Sequence, residues 1–397
     1  MLDGVRVFDA DNHYYEPRDA FTRFIEPKYK DKAVHVVQDK AGERVMVGDK
    51  LFTFLDDMET NFDTTLKPGS LRAFLNSLKS GDAVDREDVR IPVQPAFVDR
   101  SARLKMMDDQ GIDAAFLFPT LGVCVEHFMK DDPEQMYANL RAFNRWLDET
   151  WGFARDGRIY APPIISLLDP DEAVKDLEEA LRRGTKMISM RPGPAHGRSP
   201  ADPIFDPLWS RANEAGLTIA LHVGESGYNE MMGVHFGEPA NPSSHSQSAF
   251  QWTSCYGDRP IMDTMSILIF HNFFGRFPRI KVFSVENGSL WVPYLLKQMD
   301  KMKGMGRNGP WPGGRVEGRP SEIFRRHFYV NPYHEEDHVY LANLIGADHV
   351  LFGSDFPHPE GLEEPAEWYA DFQGLLGEDD TREILRDNAR RLVGLEA

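Results

Sequence analysis

The chain has 397 residues, 41% hydrophobic and 27% charged, a globular composition that excludes wholesale disorder. Its 63 acidic residues outnumber 45 basic ones for a formal net charge of −18, the wrong sign for binding nucleic acid or an anionic membrane surface. Two cysteines, Cys124 and Cys255, build neither a disulfide framework nor a cysteine-ligated zinc site and fit a reducing, cytoplasmic setting.

The sequence begins MLDGVRVFDADNHYYEP, with no apolar stretch of the signal-peptide type. No run approaches the roughly 18 apolar residues of a membrane span. The expectation is a cytoplasmic protein that meets a small molecule, with neither nucleic acid nor membrane as partner.

Short apolar runs bounded by Gly and Pro alternate with helical stretches. The first run is residues 5–13, VRVFDADNH. An insert from about 30 to 95 follows, in which VHVVQDKAGERVMVG reads as a small hairpin. The helical DRSARLKMMDDQG leads into the second run, 112–119, and the third and fourth are 159–167 and 186–192. The helical DPLWSRANEAG precedes the fifth, 217–224. A second insert, about 225–260, carries Tyr228, Phe236, Phe250, Trp252 and Tyr256. Long loops at the C-terminal ends of strands build pockets in barrel enzymes, so this one predicts a bulky apolar substrate, unless its rings simply pack the loop. The last three runs are 280–288, 327–332 and 349–357, with a Gly/Pro-rich loop at 303–320 and a closing amphipathic helix in TREILRDNARRLVGL.

Runs of this kind suit strands buried on both faces, and helices between them suit repeated βα units in a parallel sheet. Eight units predict one α/β domain over residues 1–397: a closed (β/α)8 TIM barrel with insertions after strands one and five. A doubly wound open sheet would carry a Gly-rich phosphate turn after its first strand, and none is present.

The chemistry-bearing residues fall at the ends of these runs. Asp11 and His13 lie two apart in strand one and so share a face. His222 closes strand five, where an imidazole ending an apolar strand needs a partner. Asp355 closes strand eight between Phe352 and Phe356, a costly place for a carboxylate unless it is paired, protonated or metal-bound. Each has an ordinary structural alternative: a turn cap, a histidine bonded to a carbonyl, a helix N-cap. A barrel, however, gathers these strand ends into one ring, the face that carries active sites. Two imidazoles and two carboxylates are ligands for Zn²⁺, Mn²⁺ or Fe²⁺. Glu286 closes strand six on the same ring, as a ligand, a general base, an acceptor for a ligating histidine or an ion-pair partner. Arg191 closes strand four and suits either a substrate carboxylate or a structural salt bridge. His358, three residues past Asp355, contacts substrate or caps its own loop.

The segments DADNHYYEP, RLKMMDDQGIDAAFLFPT, DPLWSRANEAGLTIALHVG, GRFPRIKVFSVENGSLWVPYLL, FGSDFPHPEG and ILRDNARRLVGL occur in this order. In them the sequence resembles the amidohydrolase superfamily, in the amidohydrolase-related branch that includes the aminocarboxymuconate-semialdehyde decarboxylase-like proteins. The resemblance covers most of the chain. It implies a distorted (β/α)8 barrel holding one or two divalent metals, zinc first with manganese or iron as alternatives, and a homodimer. The family's strand-one pair, often His-x-His and in some decarboxylases Glu-x-His, maps onto Asp11 and His13. Its strand-five histidine maps onto His222, and its strand-eight aspartate, a ligand and the usual proton handler, onto Asp355.

Two departures from the family pattern bear on function. Many decarboxylases of the branch carry a histidine at the end of strand six, where this chain reads Ser284-Val285-Glu286-Asn287-Gly288. The carboxylated lysine that ends strand four in binuclear hydrolases has no counterpart, because Lys186 begins that strand and Arg191 ends it. The expectation is one tight metal, a second requiring Glu286 or another carboxylate. The first functional expectation is a metal-dependent hydrolase of amide, ester or thioester bonds. The second is a non-oxidative decarboxylase of an aromatic or unsaturated acid, and the third is a ligand-binding barrel without chemistry.

Overall fold

The computed structural model describes residues 6–40, 42–55, 61–71, 89–365, 367–370 and 374–395. Strand β1 (Val7–Tyr14) is buried at every position, as its apolar run requires. β2 (Val34–Asp39) and β3 (Gly42–Val47) pair antiparallel as the expected hairpin, extended by β4 (Lys50–Leu51); β5 (Thr64–Leu66) pairs antiparallel with β6 (Arg90–Pro92). The remaining strands are β7 (Ile112–Pro119), β8 (Ile159–Tyr160), β9 (Met187–Met190), β10 (Thr218–His222), β11 (Lys281–Val285) and β12 (Phe328–Val330).

The architecture is mixed α/β. Two sheets are wholly parallel, in the orders β1-β7-β8 and β12-β11-β10-β9. Single parallel bridges run from Ile164 to Ser189, from Val330 to Val350 and from Asn12 to Phe356. Parallel strands need crossovers, and helices supply them. Helix α1 (Arg100–Gln110) leads into β7; the Asp99 side chain caps its start by accepting from the Ala102 amide, and Gly111 ends it at φ 76°. Helix α2 (Asp206–Ala215) leads into β10 in the same way, ending at Gly216 with φ 63°.

One buried cluster packs Ile188, Ile219 and Val282 of the strands against Trp209, Met265 and Leu296 of the helices. A separate cluster brings together Phe8, Phe116, Tyr160, Ala220, Phe283 and Leu351, from segments of both parallel sheets and from the run at 349–357. Burying each such ring contributes about 1.5–3 kcal/mol.

Two expected strands come out differently. The third, expected over 159–167, is a ladder only at Ile159–Tyr160. Pro162 and Pro163 lack the N–H a ladder needs, and Ile164 regains one bridge beyond them. The eighth, expected over 349–357, forms no continuous strand. The segment is tied to β1 bond by bond: Ala10 N donates to Phe352 O at 2.8 Å, and the Ser354 and Asp355 amides both donate to Asp11 O at 3.2 and 2.8 Å. Gly353 permits this approach, since a Cβ there would lie 2.5 Å from that of Asp11. Both cysteines are buried, and neither forms a disulfide. Among the described residues, no helix is long and apolar enough to cross a membrane.

Candidate metal centre

Five residues singled out from the sequence converge at the ends of β1, β10 and β11 and in the segment after Val350. Asp11 and His13 come from β1, whose register shifts between Asp9 and Asn12. This bulge does not separate them: His13 Nε2 lies 3.4 Å from Asp11 Oδ1. His222 ends β10. Its Nδ1 donates to Val223 O at 2.8 Å, which leaves the lone pair of Nε2 for the centre. Glu286 follows β11 at φ 54°, and Asp355 stands at φ 55°. A left-handed non-glycine residue costs about 1–3 kcal/mol, and both costs fall on carboxylates aimed at one point.

Donor atoms of Asp11, His13, His222 and Glu286 all lie within 4.8 Å of one another, and His13, Glu286, Asp355 and His358 make a second, overlapping group. His13 Nε2 is 3.6 Å from Glu286 Oε2 and 3.2 Å from Asp355 Oδ1. His222 Nε2 is 3.4 Å from Glu286 Oε2 and 3.8 Å from Asp11 Oδ1. Asp11 Oδ1, both ring nitrogens of His13 and His222 Nε2 are buried without a hydrogen-bond partner. Buried polar atoms are normally paired, and each orphan costs about 1–3 kcal/mol. Orphans converging on one point from three residues fit a cation between them.

The electrostatics agree. Burial pushes the Asp11 carboxyl up, and burial together with the charge of Asp355 pushes Glu286 well up. Burial would lower His13, but the neighbouring carboxylates of Asp11, Asp355 and Glu286 outweigh it and hold the imidazole well above its ordinary value. Burial and the charge of His13 lower His222 to about 3. For Asp355 burial is outweighed by the charge and hydrogen bond of His358 and by the His13 imidazole beside it, leaving the carboxyl well below the usual range. Three carboxylates thus crowd around imidazoles alone, and the deficit of positive charge matches what a divalent cation supplies.

A second layer, which the sequence did not reveal, holds these side chains. Asp9 is fully buried and accepts from Asn12 Nδ2 at 2.9 Å, the Asp11 amide at 3.2 Å, and Ser354 N and Oγ at 3.0 and 2.5 Å. Burial raises it to about 6. Arg103 reaches in from α1, donating to His13 O and Ala96 O, each at 2.7 Å, and to Asn12 Oδ1. The first acidic letter of FDADNH is a faint signal for Asp9. Arg103 had none, because a basic residue on a helix reads as solvent-facing.

Two other sequence-selected residues end up elsewhere. Arg191, offered as a substrate ligand, turns to Glu126: its Nε lies 3.2 Å from Glu126 Oε1, and Nη1 donates to Ser226 O at 2.9 Å. The buried carboxylate captures it, and it lines neither cavity at the centre. His358 stays close. Its Nδ1 is 2.8 Å from Asp355 Oδ1, its Nε2 is 2.9 Å from Thr120 Oγ1, and its ring lies 3.9 Å from that of His13.

Two cavities open on the centre. One, of about 810 Å³ with its mouth included, is lined by His13, His222 and Glu286; the other, of about 1870 Å³, by Asp11, Glu286 and Asp355. Trp252 and Tyr256 of the second insert line both, with ring centres 4.9 Å apart. Its other rings do not: Tyr228 donates to Asp263 at 3.1 Å, and Phe236 and Phe250 pack on each other at 5.0 Å.

A model of the amidohydrolase family matches residues 62–395. Among solved structures, amidohydrolase map2389c from Mycobacterium avium subsp. paratuberculosis K-10 aligns with a TM-score of 0.86 at 37% identity, covering 98% of this chain and 100% of that one. The 5-carboxyvanillate decarboxylase LigW from Sphingomonas paucimobilis aligns with a TM-score of 0.63 at 17% identity, covering 99% of this chain and 100% of that one. A dihydroxybenzoic acid decarboxylase from Polaromonas sp. JS666, with bound manganese and the inhibitor 2-nitroresorcinol, aligns at 0.61 and 15%, covering 98% and 97%. At such identities the last two speak to fold alone. No curated protein matches the sequence.

Proposed function

The chain belongs to the amidohydrolase family, and on that premise we propose a metal-dependent hydrolase that cleaves an amide, ester or thioester bond of a small, largely apolar substrate. The two parallel sheets are then halves of one distorted (β/α)8 barrel, a reading supported by the bridge from Ile164, beyond β8, to Ser189 of β9, by the bridges that tie Val350 to β12 and Phe356 to β1, and by Phe8, Phe116 and Phe283 meeting in one cluster.

Asp11, His13, His222 and Glu286 would hold one divalent ion. Two imidazoles and two carboxylates suit zinc or manganese, and manganese is bound in the Polaromonas protein. A bound ion supplies Lewis acidity that polarises a carbonyl and acidifies water.

The observation that carries the hydrolytic reading is the setting of Asp355. His358 Nδ1 holds its Oδ1 at 2.8 Å, and Thr120 holds the far nitrogen of the same ring. The carboxylate stays ionised and oriented at the cavity wall, and Oδ2 accepts the proton of the attacking water and returns it to the leaving atom. Glu286 stands beside it, 3.4 Å from His222 Nε2 and ready to assist as base or ligand. Among the described residues lining the two cavities there is no Lys or Arg, which favours a neutral substrate over an aromatic acid.

A carboxy-lyase is the second reading, favoured by the fold shared with the two decarboxylases and by the raised Glu286 carboxyl, which could protonate carbon. Asp355→Asn in the metal-loaded protein tests the first. Turnover of aryl amides or esters should fall by about 100- to 10,000-fold with metal retained. A wild-type rate would overturn the role of Asp355, and CO₂ release from aromatic acids without hydrolysis of any amide, ester or thioester would replace the hydrolase by the carboxy-lyase.

A further inference from the structure

Glu286 is the first residue past β11 and stands at φ 54°. A left-handed non-glycine residue persists only where its surroundings over-determine it, so the aim of its carboxylate depends on what grips this turn. One flank is held from within the turn and from β10. Asn287 Nδ2 donates to Val285 O at 2.7 Å and to Leu221 O at 3.0 Å, and Trp291 Nε1 donates to Asn287 O at 3.0 Å. The other flank is held by the segment after β12. There the Tyr333 hydroxyl donates to Glu286 O at 3.1 Å. Glu336 Oε2 accepts from Tyr333 N at 3.2 Å and from Ser289 Oγ at 2.7 Å, so one carboxylate joins the two segments. Gly288, at φ 59°, lets the Tyr333 ring lie against the turn, since a Cβ there would come within 2.7 Å of that ring.

Tyr333 is not a core residue. It is 39% exposed and lines the larger cavity together with Glu286. A ring so placed gains little from burial. Its hydroxyl reaches the residue whose carboxylate lies 3.4 Å from His222 Nε2 and 3.6 Å from His13 Nε2. We propose that Tyr333 is a positioning residue for the metal centre: its hydroxyl fixes the backbone of Glu286 and so aims that carboxylate at the ion. The inference rests on the assignment of Glu286 to the metal above and adds what gives that side chain its place. His13 and His222 sit within strands, paired with Phe118 and Val285. Glu286 lies one residue beyond its strand, so a side chain does for its backbone what the ladder does for theirs. Groups behind a metal's own ligands orient them in this way and change affinity without touching the ion.

A double-mutant cycle on manganese affinity, read by competition with a chelating dye, tests this without requiring turnover. Tyr333→Phe keeps the ring and removes the hydroxyl. It should weaken manganese binding by about 3- to 10-fold, the effect of one hydrogen bond, while circular dichroism shows the fold intact. Glu286→Ala removes the carboxylate and should weaken binding by about 10- to 100-fold. In the Glu286→Ala background, Tyr333→Phe should then change affinity by less than about twofold, because the group it positions is gone. A general structural role for Tyr333 would not show this coupling. Losses of equal size in both backgrounds would therefore overturn the proposal. A loss in Glu286→Ala with none in Tyr333→Phe would overturn the role of Tyr333 alone and leave Glu286 on the metal. Undiminished affinity in Glu286→Ala would take Glu286 off the metal and overturn both.

Discussion

Glu126, Arg191 and His196 make one buried polar cluster; Asp11, His13, His222, Glu286 and Asp355 make another. In the first, opposite charges meet. Glu126 Oε1 has Arg191 Nε at 3.2 Å and His196 Nε2 at 2.9 Å, and accepts from Ser166 Oγ at 2.9 Å. Burial would raise Glu126, but Arg191, His196 and Ser166 outweigh it and bring the carboxyl down to about 2. In the second, three carboxylates face imidazoles only, and four ring and carboxylate atoms have no hydrogen-bond partner, against Arg191 Nε in the first. A buried charge whose neighbours already answer it is scaffold. One whose charged neighbours are mostly of its own sign, with several unpartnered atoms in one group, suits a cation.

That contrast can be broken in three places. The largest effect belongs to His222→Ala, which removes a donor from the unbalanced cluster. Metal affinity should fall by at least about 100-fold, read by elemental analysis after dialysis. Full metal content in this variant would erase the distinction between the clusters. Next is Arg191→Met, which strands Glu126 without its guanidinium. Urea unfolding should show a loss of about 3–5 kcal/mol with metal content unchanged. Loss of metal here would instead merge the two clusters into one functional unit. The smallest effect is the pH dependence of Glu126. Its folded value near 2 lies below the ordinary 4.5, so its stabilisation is complete above about pH 4.5 and drains away as pH falls towards 2. The stability difference between the wild type and Glu126→Gln should therefore shrink across that window. A difference that stays level would mean the charge of Glu126 is not what the cluster holds.

Much of this was legible in advance, for specific reasons. Asp11, His13 and His222 stood out because each interrupts an apolar run, and burying a polar group demands a partner wherever the fold places it. Glu286 and Asp355 were legible by position, at the ends of runs, but their left-handed backbone was not. Arg191 shows the limit. Its residue type and strand position admitted a substrate carboxylate or a structural one, and only the arrival of Glu126 from the short helical turn after β7 decided for the latter. Arg103 was hidden altogether, because its helix shows little amphipathic pattern to mark an inward-facing charge. The prolines at 162 and 163 were in plain view as the reason the third strand stops short, whereas Gly353 acquires its meaning only beside Asp11.

The sequence by itself determined the alternation of buried runs and helices, the family, and which polar residues close those runs. These properties are carried by near neighbours along the chain: apolar periodicity, Gly and Pro at the ends, residue type at a boundary. The tertiary structure alone decided that donor atoms of four residues lie within 4.8 Å, that Asp355 faces one cavity and the imidazoles of His13 and His222 the other, and that Glu126 takes Arg191. Those outcomes depend on distances between segments far apart in the chain, which are set when the segments pack and by nothing local to any of them.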